Sequence, residues 1–160
     1  MAPDFSIFKP MKPFYVLITV FIISLFATRF ATGDYLHFLS GKIAMAAMLV
    51  FTAIGHFAFT KGMTMIVPNF IPFKKGIVYL TGLLEIVFAF GLLIPQYVEI
   101  TCWALIVFFV LMIPGNVKAA MEHIDYEKAS TNGPGAKYLW FRIPLQVLFM
   151  AWVYFFGLNQ

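Results

Sequence analysis

The stretch IVYLTGLLEIVFAFGLLI, residues 77–94, decides how this chain folds. A membrane-spanning helix needs roughly 20 mostly apolar residues, with about 17–25 tolerated. This run is that long, and Pro95 ends it. One charge, Glu85, stands in its middle. A carboxylate at that depth costs at least about 2.5–3.5 kcal/mol on insertion scales, so it must face the inside of a bundle. Helical spacing puts Thr81, Gly82 and Ala89 on its face. Small residues let a neighbouring helix approach closely.

The rest of the chain repeats the pattern. Of 160 residues, 62% are hydrophobic and only 11% charged. Soluble domains carry about 25% charged residues, and a chain this short cannot hide so much apolar surface from water. Four more apolar runs span about Phe14–Phe30, Ile43–Thr60, Ile100–Met121 and Tyr138–Phe156. With residues 77–94 they predict an all-α membrane bundle of five helices in a single domain, 1–160. Lys9 and Lys12 open the first run as they would a signal peptide. However, its apolar part is long for that role and no clear A-x-A site follows, so a retained helix is expected. Val67–Pro68–Asn69–Phe70–Ile71–Pro72 is too short to span and holds two prolines, which predicts an interfacial loop. Pro114 is expected to kink the fourth helix, and Pro144 to sit in the tolerated first turns of the fifth.

The net charge of +4 reads as a topology signal. With five spans, Lys9, Lys12, Lys61, Lys74, Lys75, Lys118, Lys128, Lys137 and Arg142 fall on one side, and Arg29 and Lys42 on the other. The positive side is cytoplasmic, which puts the N-terminus inside and the C-terminus outside. No basic patch is interleaved with aromatics, no Gly-rich phosphate loop appears and no metal-ligand motif is paired, so no nucleic-acid partner and no metal are expected. The one cysteine, Cys102, cannot form an internal disulfide. Tyr79, Tyr138, Trp140, Trp152 and Tyr154 read as interface anchors. His37, His123 and the segment 122–128 read as solvated.

Polar residues on other helices offer Glu85 its partners. By a rise of about 1.5 Å per residue, His56 and Arg142 lie roughly 6 Å from the inner helix ends, Asn116 roughly 7 Å and Glu85 roughly 12 Å. Arg142 and Gln146 are four apart and share a face. The expectation is one buried layer of His56, Glu85, Asn116, Arg142 and Gln146, with an ion pair between Glu85 and Arg142. Three roles stay open for it: fixing helix register, lining a small-molecule pocket, or carrying protons.

Several short motifs, in order, resemble the DoxX-like family of small bacterial membrane proteins. They are Gly55–His56–Phe57, Ile66–Val67–Pro68, Ile71–Pro72, Val78–Tyr79–Leu80–Thr81–Gly82–Leu83–Leu84–Glu85, Gly91–Leu92–Leu93–Ile94–Pro95, Pro114–Gly115–Asn116–Val117 and Arg142–Ile143–Pro144–Leu145–Gln146. Gly115 stands where the family more often shows Ala. The resemblance covers about Ile43 to Tyr154 and implies four core helices, an added first helix and a bacterial inner-membrane location. The family takes its name from a subunit linked to thiosulfate:quinone oxidoreduction. Most members have no assigned activity, so that chemistry does not transfer; nor does this chain have a cysteine pair or haem ligand set that would support redox chemistry alone.

The leading expectation is non-enzymatic, with no catalytic residue. The layer would bind a lipophilic molecule, a quinone or lipid, or serve an accessory subunit in a homo-oligomer or larger complex. The alternatives are the membrane part of a quinone-linked oxidoreductase and a ligand-free scaffold.

Overall fold

A computed structural model describes residues 11–159. Lys9, counted above among the charges of one side, lies outside them. The described residues form helices α1 (Lys12–Thr32), α2 (His37–Ala58), α3 (Thr60–Ile66), α4 (Lys74–Gly91), α5 (Val98–Leu111), α6 (Ile113–Met121) and α7 (Ala136–Val153). A 3-10 turn at Pro95–Tyr97 leads into α5, and a π turn at Tyr154–Leu158 ends α7. No strand occurs among these residues; a single antiparallel bridge joins Asp125 and Ser130.

Four stretches are long and apolar enough to cross a membrane: Lys12–Thr32, His37–Ala58, Pro95–Met121 and Ala136–Leu158. α4 has 18 residues and carries Lys74, Lys75 and Glu85. Large apolar side chains lie bare on the outside, among them Ile23, Phe26, Phe30, Ile100 and Leu111. Soluble monomers rarely expose apolar surface on this scale. The all-helical chain therefore has the make-up of a membrane protein.

α2 is the centre of the bundle, with α1 along one side and α4 along the other. Its Met45, Met48 and Leu49 are fully buried together with Leu17 of α1 and Cys102 and Leu105 of α5. Gly33 turns the chain between α1 and α2: at φ 82° it takes the left-handed conformation that glycine adopts freely, and its N–H donates to the Arg29 carbonyl at 3.0 Å. At one end of the bundle Lys12 pairs with Glu127 at 2.6 Å, and Lys118 donates to the Val67 carbonyl at 2.9 Å. These contacts bring the start of α1, the α3–α4 segment and the 122–135 loop to the same end. The π turn packs against α2 and α5 at the other, where Trp152 Nε1 donates to the Gly41 carbonyl at 3.0 Å.

Several local expectations are revised. The run Ile100–Met121 divides at Met112, two positions before Pro114, into α5 and α6, while the Met112 N–H still donates to the Phe108 carbonyl and the Asn116 N–H to the Met112 carbonyl. Pro114 lacks the N–H that would bond the Val110 carbonyl, so it starts a new helix in the first turn, where the loss is tolerated. Pro144 lies well inside α7, because that helix begins at Ala136. Thr60–Ile66 folds as a helix of its own ahead of the proline segment. The segment 122–128 is not simply solvated: Ile124 is buried, Asp125 to Glu127 are half-buried, and the Asp125 carboxylate accepts from the backbone of Glu127 and Lys128.

Candidate functional site

The site starts at the seam between α2 and α4. Gly82 makes the seam close, since a Cβ there would lie 2.8 Å from the His56 Cβ. The closeness delivers the His56 ring to the backbone of α4. Nδ1 lies 3.1 Å from the Val78 carbonyl and 3.1 Å from Thr81 Oγ1. The Thr81 hydroxyl itself points at the carbonyls of Ile77 and Val78, both at 3.0 Å. A carbonyl can only accept, so Nδ1 carries a hydrogen. The other nitrogen, Nε2, then faces Glu85 Oε2 at 3.6 Å. At that distance the two groups are close neighbours, too far apart for a hydrogen bond. Thr52, one turn before His56 on α2, lies against the same carboxyl group.

The expected ion pair between Glu85 and Arg142 does not form; the partner of Glu85 is His56. The reason is the order of helices. α4 packs on α2, α3 and α5, whereas α7 packs on α5 and α6 and only lightly on α2. Arg142 stays half-buried. Its charge acts on His56, Glu85 and Tyr126 without bonding any of them.

The other two expected residues bond elsewhere. Asn116, near the start of α6, accepts from the Tyr138 hydroxyl at 3.4 Å. Gln146 Nε2 donates to the Phe109 carbonyl at 2.9 Å, in the turn before the α5–α6 break. Three buried polar atoms of the group have no hydrogen-bond partner in the protein: Glu85 Oε2, Arg142 Nε and Gln146 Oε1. Native proteins leave few buried polar atoms unpaired, and each calls for an explanation.

Two residues join the site unannounced by the sequence. Tyr138 is buried at 7% exposure against Asn116 rather than anchored at an interface. Tyr126, from the loop read as solvated, is half-buried and within the field of Arg142. Burial pushes its phenol up to about 12. Neither had a local signal, since tyrosine serves equally well at a membrane interface and in a loop. Trp140, by contrast, stands 84% exposed.

A family model described as a domain of unknown function, DUF8561, matches residues 45–157 and so takes in the whole site. Comparison with curated proteins and with solved structures gives no match. The chain belongs to the DUF8561 family.

Proposed function

We propose that this is a DoxX-like integral membrane protein of five spans that binds the polar head of a lipophilic molecule, a quinone or a lipid, at the His56–Glu85–Asn116–Arg142–Gln146 layer. The single observation that carries the reading is the trio of unpartnered buried atoms, Glu85 Oε2, Arg142 Nε and Gln146 Oε1. Arg142 Nε is a donor, and the two oxygens are acceptors. A head with a carbonyl and a hydroxyl, or a headgroup carrying both kinds of group, matches that set.

In this reading α4 is the fifth span. At about 1.5 Å per residue its 18 residues reach roughly 27 Å, close to the thickness of a bilayer core. Lys74 and Lys75 lie at its end, where their side chains reach the headgroups, and His56 faces Glu85 at 3.6 Å. The lysines that gather at the Lys12–Lys118 end favour a cytoplasmic N-terminus in a bacterial inner membrane.

The test is native mass spectrometry of the detergent-purified chain, with organic extraction of what it holds. The expected result is a quinone or lipid retained by the wild type and weakened in Arg142→Ala and Glu85→Gln. A wild-type chain that carries no such molecule and takes none up on addition would overturn the reading.

A further inference from the structure

A separate feature lies at the bundle end that carries Lys12 and Lys118. The segment between α3 and α4 holds two phenylalanines in the open, Phe70 at 80% and Phe73 at 88% exposure. Phe73 has φ 53°, a left-handed conformation that a bulky residue rarely takes. Bare aromatic rings at the end of a membrane bundle suit the boundary between headgroups and acyl chains.

Beside the rings, two ammonium groups converge on one neutral atom. Lys74 Nζ lies 2.8 Å from Asn69 Oδ1, and Lys118 Nζ lies 3.0 Å from the same oxygen. Lys118 is held there by its bond to the Val67 carbonyl, and its side chain is only 13% exposed. Two cations gathered around one uncharged oxygen repel each other. Glu122 pairs with Lys118 at 3.8 Å from a half-exposed position, and among the described residues no carboxylate pairs with Lys74. A phosphate supplies several acceptor oxygens and a negative charge, and so can bond both ammonium groups at once.

The geometry points to a site for the phosphate of an anionic phospholipid, gripped by Lys74 and Lys118, with Phe70 and Phe73 seated among its acyl chains. This site is distinct from the His56–Glu85 layer and stands whether or not that layer binds a ligand.

The experiment titrates the full chain in detergent with phosphatidylglycerol and with phosphatidylcholine of matched acyl chains, read by native mass spectrometry. The wild type is expected to prefer phosphatidylglycerol. At about a fivefold contribution per lysine, Lys74→Gln alone lowers that affinity about fivefold, and Lys74→Gln with Lys118→Gln about thirtyfold. Lys118→Arg keeps the charge and the bond to Val67, and keeps the preference. Phe70→Ser with Phe73→Ser weakens both lipids alike. Equal binding of the two lipids by the wild type would overturn the site, as would an undiminished preference in Lys74→Gln, a surface change that leaves the fold intact. Inorganic phosphate binding as tightly as the lipid would overturn the lipid assignment.

Discussion

Replacing Gly82 by alanine tests the seam on which the site is built. The new methyl group would lie 2.8 Å from the His56 Cβ, 3.4 Å from its Cγ and 3.4 Å from Phe57 Cε2. Ordinary contact begins at 3.4 Å, so α2 and α4 must part by at least about 0.6 Å. The obstacle is a Cβ, which moves only with its backbone, so no rotamer change relieves it. Overpacking of this kind costs about 1–3 kcal/mol. Gly55→Ala is the internal control. It lies next to His56 on α2, and its new methyl would meet only the flexible end of Met63 at 3.9 Å. There, helix propensity alone acts, up to about 1 kcal/mol in favour of alanine. Thermal unfolding in detergent, followed by tryptophan fluorescence, should give opposite signs: Gly82→Ala lower in Tm by about 2–4 °C per kcal/mol, Gly55→Ala unchanged or higher. The cost of Gly82→Ala should persist in a His56→Ala background, because alanine keeps the Cβ. If Gly82→Ala is as stable as Gly55→Ala, the close seam is refuted.

Two further outcomes follow from other contacts. Burial holds the Tyr126 phenol near 12 against an ordinary 10.0, so the folded state binds its proton more tightly than the unfolded chain. That stabilisation is complete below pH 10 and is lost as pH rises towards about 12. Urea unfolding across this range should show a fall that Tyr126→Phe removes. Gly157→Ala would drive its methyl into the buried Cys102 sulfur, at a cost of about 1–3 kcal/mol. Cys102→Ala makes room, so the double variant should melt above the sum of the two single losses.

The sequence made the helices plain and their pairings obscure, for physical reasons. Apolar runs such as Phe14–Phe30 mark directly the helices long and apolar enough to cross a membrane, because a bilayer tolerates little else. The seam at Gly82 was also legible, since a glycine one turn from a carboxylate leaves room for a neighbour. The partner of Glu85 was not. Depth along the axis pointed to Arg142 as its ion partner; the arrangement of helices around the bundle, which no local pattern encodes, put His56 against it instead. The same gap hid Tyr138 and Tyr126. The break at Met112 was half visible. Pro114 marks it, yet nothing local shows that Gln146 of α7 donates to the Phe109 carbonyl just before it.

The position of Arg142 has an electrical consequence. Arg142 keeps its positive charge under all ordinary conditions, and among the described residues it forms no ion pair. Its charge reaches His56 and Glu85 as a field rather than through a bond, and in a medium of low dielectric the field of a charge is felt far more strongly than in water. Such a field repels cations and draws electron-rich groups.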